Sequence, residues 1–393
     1  MTKTHHIILG QLTAGALTLL VTVVSARQCG PKVLAECLSM ILILSVVLDL
    51  ADFGTCSWSA RELAASKIKL NFYFELMFSR VFVTLLTAPI TIAFCLFGSM
   101  VSKELATLSI YPTLWLITNY VQQFLLVNER IYFAQTLQIL ERLSWLLIFP
   151  LSYLGINKYF LFLLPILVGL FLHSIVGLSY IAIKFLVDFK SLRFRLVSYR
   201  NSRHFGGLGI ITDVGNLDTP IITALSTLSE AGSYSLAQRF RNPSQLPFQA
   251  ISIRVRNYAT NRNGIDVAKY LNSEKLLIIL STLGLILLSV VSYFYANQIF
   301  GSSYKNLNLI LCVSFLSAIP SGLNLILSST LTGLGYESYV MKIVLCSVIL
   351  NILGCILTAS LFNALVTVLY LFASNCILLT GFLKLLRKIR RYS

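Results

Sequence analysis

Charged residues are scarce in this sequence of 393 residues, and acidic residues are the scarcest of them. Asp, Glu, Lys and Arg together form 12% of the chain, whereas about a quarter of a soluble domain consists of these residues. So little charge cannot coat a water-exposed surface, which excludes a soluble globular protein. With 56% hydrophobic residues and a mean hydropathy of +0.80, most of the surface is expected to face lipid.

The sequence also lacks the spacings of a metal centre, a disulfide framework or a nucleotide loop. The eight cysteines form no CxxC pair and are interpreted as small buried hydrophobes, and the four histidines show no ligand spacing. No Walker A sequence occurs. The glycine-rich run 206–209 follows no strand, so it predicts a close helix-packing face rather than a dinucleotide loop. We therefore expect neither a metal nor a cofactor.

Long apolar runs are abundant, and twelve are long enough to cross the hydrocarbon core, which takes about 20 residues. They predict an all-α polytopic membrane protein of about 12 transmembrane helices. The first run ends in a sequence that resembles a signal-peptide cleavage site, but its apolar stretch is too long, so we interpret it as an uncleaved span. The predicted spans are 7–26, 33–54, 72–98, 105–127, 131–154, 158–183, 205–228, 231–253, 275–299, 307–328, 339–361 and 363–385.

The basic residues between the spans predict the orientation of the chain. With the N-terminus in the cytoplasm, 22 Lys and Arg fall in inside segments and 5 in outside segments. Short cytoplasmic loops carry such an excess, so both termini are expected in the cytoplasm. The net charge of +16 is therefore interpreted as an orientation signal, and no nucleic-acid partner is expected.

A basic loop at 184–204 divides the spans into two blocks of six. It predicts an N-terminal lobe at 1–183, a cytoplasmic linker and a C-terminal lobe at 205–393. The pattern G-x-x-x-L-A-[E/Q] occurs after the first span of each block, at Gly30 and at Gly232. An even number of spans per block predicts parallel repeats, related by an axis along the membrane normal.

Four arginines fall inside predicted spans: Arg80, Arg142, Arg239 and Arg241. A charged residue at mid-bilayer costs about 2.5–3.5 kcal/mol on translocon scales, so these residues are expected to face a hydrated interior or to pair with acids. Structural ion pairs are the alternative, most of all for Arg142 beside Glu141.

Amide side chains form stripes on three predicted spans. Helical spacing places each stripe on one face, which suits a ligand with hydroxyls and anionic oxygens, such as a glycosyl phosphate. Interhelical amide hydrogen bonds are the alternative. The candidate binding residues are Asn119 and Gln122 on span four, Gln138 with Arg142 on span five, and Gln245 with Arg241 on span eight.

Three groups of residues resemble motifs of the polysaccharide-unit (O-antigen, Wzx-type) flippases of the multidrug/oligosaccharidyl-lipid/polysaccharide exporter superfamily. They are Ala26-Arg27-Gln-Cys-Gly30-Pro31, then Asp49-Leu-Ala-Asp52-Phe-Gly54 with Ser59-Ala-Arg61-Glu62-Leu63-Ala64, and Asp218 leading to Gly232-Ser-Tyr234-Ser-Leu-Ala237-Gln-Arg239. The resemblance covers nearly the whole chain in span number and loop pattern.

The resemblance implies a non-enzymatic flippase that moves undecaprenyl-diphosphate-linked oligosaccharide units from the cytoplasmic to the periplasmic leaflet. Two six-helix lobes would rock around a cationic cavity, with Arg80, Arg142, Arg239 and Arg241 holding the diphosphate or acidic sugars. The implied partners are the lipid-linked oligosaccharide, membrane lipid, and polymerase and chain-length proteins of the same pathway. A polysaccharide polymerase, a lipid-linked glycosyltransferase or a small-molecule exporter are the alternatives; the first two are expected to carry a long outside loop, which the sequence lacks.

The acids of span seven suggest how transport is driven. With a turn near 229–230, Asp218 would lie level with Arg241, and Asp213 would lie deeper. We hypothesise that substrate phosphate competes with Asp218 for Arg241, which leaves a carboxylate free to bind a proton or a sodium ion. A permanent bridge between the two side chains is the alternative.

Overall fold

The computed structural model describes residues 3–64, 66–97, 102–187, 193–194, 202–259 and 270–392. All regular structure in these ranges is helical, which confirms the predicted all-α class. The α-helices are α1 (Lys3–Asp52), α2 (Thr55–Ala64), α3 (Leu70–Phe97), α4 (Tyr111–Val127), α5 (Ile131–Ser144), α6 (Ile148–Tyr153), α7 (Lys158–Phe185), α8 (Arg203–Gly215), α9 (Asp218–Leu225), α10 (Leu228–Ser244), α11 (Leu246–Ala259), α12 (Lys275–Phe300), α13 (Leu307–Gly333), α14 (Glu337–Leu361) and α15 (Ala364–Tyr392).

Each predicted span coincides with a helical segment. Seven helical stretches of the described chain are long and apolar enough to cross a membrane. One of them, Thr13–Asp52, covers most of the first two predicted spans, which are separated at Gly30, where the backbone has a φ of 82° and is not helical. Glycine adopts such a φ without a Cβ penalty, and Pro31 follows it.

The fourth, fifth, seventh and eighth predicted spans consist of shorter helices in series. A 3₁₀-helix, Lys103–Ile110, precedes α4, and another, Trp145–Leu147, joins α5 to α6. A proline lies close to each interruption, at 112, 150, 220 and 243. Proline lacks the amide hydrogen that an uninterrupted helix needs, which explains why the helix is broken there.

The chain forms two compact units. Unit 1 comprises 1–29 and 36–217, and unit 2 comprises 30–35 and 218–393. The division falls at 217/218, inside predicted span seven, rather than at the predicted linker 184–204, most of which lies outside the described residues.

Glycines of α8 explain why this helix belongs to unit 1. A Cβ at Gly206 would lie 2.6 Å from the Phe53 carbonyl oxygen, and one at Gly209 would lie 2.7 Å from Asp49 Oδ2. Only glycine permits such an approach at these two positions, as the close packing predicted for the run 206–209 requires, whereas a Cβ at Gly207 would have no atom within 4 Å.

Large apolar side chains cover the outside of α12 and α14. Leu283, Leu287, Leu353 and Leu357 are each more than half exposed. Such faces are expected on helices that contact lipid, in agreement with the multi-pass membrane fold. The eight cysteines are all free, and five are buried, although Cys346 is exposed.

Candidate functional site

A polar network in unit 2 begins at Asp218, the first residue of α9. The Thr219 amide donates a hydrogen bond to Asp218 Oδ1 at 2.7 Å, and the hydroxyl of Tyr234 on α10 donates to Oδ2. Tyr234 is 1% exposed, so the network is anchored in the packed interior of the unit.

Gln238 extends this network one helical turn along α10. Its Nε2 donates to the Tyr234 hydroxyl at 2.5 Å, and its Oε1 accepts from Arg241 Nη1 at 3.4 Å. No ion pair joins Asp218 directly to Arg241. Arg241 therefore acts on Asp218 electrostatically, with Gln238 between them. The direct bridge that the sequence hypothesis considered is not formed.

The predicted position of the turn is wrong, and this explains the relay. Helix α9 ends at Leu225 and α10 begins at Leu228 with Thr227 as its N-cap, so the turn lies at 226–227 rather than at 229–230. Residues at equal distances from a turn lie at the same level of the two helices, so Asp218 lies opposite position 235. Tyr234 consequently meets Asp218, and Arg241 lies almost two turns further along.

Arg241 and Gln245, which are four residues apart, carry hydrogen-bond donors without acceptors. Arg241 Nε and Gln245 Nε2 are both buried and have no hydrogen-bond partner within the described part of the chain. Their spacing places them on one face of the helical stretch that ends α10. Buried polar groups are normally hydrogen-bonded, so two adjacent donors without acceptors indicate a place for an acceptor-rich ligand.

Arg239 is not on the same side of α10 as Arg241. It is half-buried, and two residues apart along a helix do not face each other. The structure thus separates these two predicted binding residues, although both belong to unit 2.

In unit 1, Arg80 lies in a closed polar cluster. The residue is 4% exposed, and its Nε donates to Thr55 Oγ1 at 3.1 Å. It interacts electrostatically with Asp52, which accepts hydrogen bonds from the Cys56 amide and the Tyr120 hydroxyl, each at 3.2 Å. Arg80 thus has polar contacts within unit 1, as the structural alternative requires, and its role in substrate binding stays a prediction.

Arg142 is also paired, in a cluster between α5 and α7 that contains a residue the sequence reasoning missed. Arg142 Nη2 lies 3.4 Å from Glu141 Oε1, and its guanidinium lies 4.4 Å from the centre of the Trp145 ring. Glu141 Oε2 lies 2.9 Å from Nδ1 of His173. A histidine in the middle of a long apolar span was the signal that could have identified His173.

Amide groups of α4 and α5 carry acceptors without donors. Gln122 Oε1 and Gln135 Oε1 are buried without a hydrogen-bond partner among the described residues, whereas Asn119 and Gln138 are half-buried. Such acceptors suit the hydroxyls of a sugar, just as the donors of unit 2 suit anionic oxygens.

The two predicted ion-coupling acids do not lie in one unit. Asp213 lies near the end of α8 in unit 1, where it interacts electrostatically with Asp49, whereas Asp218 belongs to unit 2. Within the ranges that the structure describes, no group of three or more His, Cys, Asp or Glu side chains could hold a metal ion.

Solved structures share this fold over nearly the whole chain. A MATE protein in complex with MaL6 has a TM-score of 0.68 at 14% identity and covers 100% of this chain and 98% of its own. The lipid II flippase MurJ, in an inward closed conformation, has a TM-score of 0.68 at 14% identity, with 97% of this chain and 87% of that chain covered. A MOP superfamily transporter from Pyrococcus furiosus has a TM-score of 0.66 at 12% identity, with 99% and 96% covered.

No family model matches the sequence, and no curated protein matches it. At 12–14% identity the structural likeness shows the fold alone. The chain therefore has the fold of the MOP superfamily transporters.

Proposed function

We propose that this protein is a flippase that moves undecaprenyl-diphosphate-linked oligosaccharide units of a surface polysaccharide, such as O-antigen, across the bacterial inner membrane by alternating access. The observation that carries the proposal is the pair of buried donors without acceptors, Arg241 Nε and Gln245 Nε2. A diphosphate supplies several acceptor oxygens, and a guanidinium binds phosphate through two parallel hydrogen bonds. The acceptors Gln122 Oε1 and Gln135 Oε1 support a substrate that also carries sugar hydroxyls.

The fold and the motifs support the same substrate class. One structural neighbour is a lipid II flippase, and the residues around Gly30, Asp49 and Gly232 resemble motifs of the O-antigen flippases. Both termini are expected in the cytoplasm because of the basic inside loops. Reporter fusions at Lys190, Tyr258 and Ser393 should therefore read cytoplasmic, and fusions at Gly30, Lys103, Lys158 and Lys305 periplasmic.

The proposal is tested in cells that lack the protein. Lipid-linked oligosaccharide should accumulate on the cytoplasmic leaflet, and surface polysaccharide should be lost. The accumulated lipid, extracted and placed in phospholipid vesicles, should change leaflet only when the purified protein is present. Equal rates in protein-free and protein-containing vesicles would refute the proposal, and normal unit export with short surface chains would indicate a polymerase.

A matched pair of variants connects the activity to Arg241. Arg241→Lys keeps the charge but removes Nε, so it should lower transport, and Arg241→Ala should lower it further. Both proteins should insert at wild-type levels. A small-molecule exporter of the same fold would move a cationic dye in the same vesicles and would leave the lipid-linked oligosaccharide in place.

A further inference from the structure

The centre of unit 1 contains a buried acid–base pair that the proposed function does not use. His173 is 1% exposed and Glu141 is 4% exposed, and His173 Nδ1 lies 2.9 Å from Glu141 Oε2. His173 Nε2 is buried and has no hydrogen-bond partner in the described residues. With Nδ1–H donating to the carboxylate, Nε2 carries the lone pair, which is the atom on which an imidazole binds a proton.

Close helix packing holds this pair in place. A Cβ at Gly169 on α7 would lie 2.6 Å from the Glu141 carbonyl oxygen, so only glycine lets α7 approach α5 here. Ser144 ties the two helices together by donating to the carbonyls of Glu141, at 2.7 Å, and Pro165, at 3.1 Å. The carboxylate therefore has little freedom to leave His173.

Few other charged groups act on the pair. Arg142 is the cation that shares the Glu141 carboxylate, at Oε1. The elements packed against α7 are α4, α5, α6 and the two 3₁₀-helices. Among titratable side chains, α4 carries only Tyr111 and Tyr120, and α6 carries only Tyr153. The first 3₁₀-helix carries Lys103 and Glu104, and Glu104 accepts from Asn157 at the start of α7, about 20 Å along the helix from His173.

Glu141 thus lies between the guanidinium of Arg142 and the imidazole of His173, which differ in exposure. The Arg142 side chain retains 25% of its exposure, whereas His173 is enclosed. We infer that His173 binds a proton on Nε2 and that Glu141 couples this proton to an anionic lipid phosphate held by Arg142. This inference rests on the proposed function for the nature of the anion, but not for the proton site itself.

The coupling follows from the shared carboxylate. When the phosphate takes Arg142, Glu141 loses one compensating charge, and an imidazolium at His173 replaces it. The proton comes from water, the Nε2 lone pair forms the new N–H bond, and no other bond breaks. Linkage makes this effect reciprocal: protonation of His173 strengthens anion binding, and bound anion strengthens proton binding by the same factor.

The test uses the full chain in phospholipid nanodiscs with ¹⁵N-labelled histidine, and undecaprenyl diphosphate without sugar as the anionic probe. The His173 signal is identified by its loss in His173→Gln. If the inference holds, this signal changes from imidazole to imidazolium as the pH is lowered. Saturating probe should strengthen proton binding about tenfold, and the dissociation constant of the probe should fall by the same factor at low pH.

Three variants separate the steps. Glu141→Gln should weaken proton binding about tenfold or more, because the imidazolium loses its counter-charge, and Glu141→Asp should restore part of it. Arg142→Gln should leave the titration in place and remove its response to the probe. A His173 signal that stays in one form as the pH is lowered would overturn the inference, and so would a change of form that bound probe does not alter. Failure of the wild-type protein to bind the probe would instead refute the proposed function.

Discussion

Unit 1 places Glu141 beside Arg142 and unit 2 places Asp218 near Arg241, but the two pairs are built differently. In unit 1, Glu141 contacts Arg142 at 3.4 Å and His173 at 2.9 Å. In unit 2, Asp218 is bonded to Tyr234, and Arg241 is reached only through Gln238. The carboxylate of unit 1 has Arg142 and His173 in direct contact, whereas the arginine of unit 2 keeps a buried N–H without an acceptor in the described residues.

This difference separates two uses of a buried charge. A carboxylate between two direct partners is stabilised locally, and removing it leaves charge uncompensated. An arginine held at a distance from its acid retains hydrogen-bonding capacity for a ligand. We therefore expect changes at Glu141 to affect stability first and changes at Arg241 to affect transport first.

The largest expected effect comes from neutralising the two acids in parallel. Glu141→Gln should lower the free energy of unfolding by about 3 kcal/mol, because breaking a buried ion pair leaves its partner unpaired. Asp218→Asn should cost only about 1 kcal/mol, since the asparagine oxygen still accepts from Tyr234. Thermal unfolding in detergent measures both, and equal losses would contradict the comparison. In transport assays, Asp218→Asn should slow turnover and blunt its pH or sodium dependence.

Replacing each of the two arginines by alanine should affect stability and transport to different degrees. Arg241→Ala should lower transport about tenfold or more, the equivalent of about 1.5–3 kcal/mol for hydrogen bonds to a charged group, with a small change in melting temperature. Arg142→Ala should lower the melting temperature as well, because Glu141 loses a direct partner. Vesicle transport and thermal unfolding of the same preparations decide the matter. An Arg241→Ala protein that is as unstable as Arg142→Ala would assign Arg241 a structural role.

Helix packing around Glu141 can be tested without altering a charge. Gly169→Ala places a methyl group against Glu141 and should cost about 1–3 kcal/mol through overpacking. Gly284→Ala on the exposed side of α12 is the matched control, since a Cβ there has no atom within 4 Å. We expect the control to be neutral or stabilising. Wild-type stability in Gly169→Ala would mean that α7 can move away from α5 at little cost.

The smallest effect is expected from the hydroxyl that connects Asp218 to Gln238. Tyr234→Phe removes the donor to Asp218 and the acceptor for Gln238, and should cost about 1 kcal/mol. Tyr258→Phe, which keeps the ring that stacks on Tyr270 at 4.4 Å, serves as a control. If Tyr234→Phe leaves both stability and the transport rate unchanged, the Tyr234 hydroxyl does not contribute to either.

The sequence predicted the spans well because membrane burial imposes a simple rule on composition. Twelve apolar runs, interrupted by short polar segments, correspond to helical segments of the structure. Breaks inside spans were harder to predict. Prolines accompany the breaks at 112, 150, 220 and 243, yet Pro89, Pro165 and Pro320 lie within unbroken helices. Neighbouring packing decides whether a proline interrupts a helix, and one sequence does not reveal that packing.

Composition and charge distribution by themselves determined the class of this protein. Too little charge to cover a soluble surface and apolar runs of span length leave only a multi-pass helical bundle. The tertiary structure decided the role of each in-span charge, since this depends on distances of a few ångströms between helices. The true turn at 226–227 set Tyr234 rather than Arg241 against Asp218, and the close approach at Gly169 brought His173 to Glu141. Such contacts join residues 16 and 32 positions apart in the chain, and helical periodicity along one segment cannot specify them.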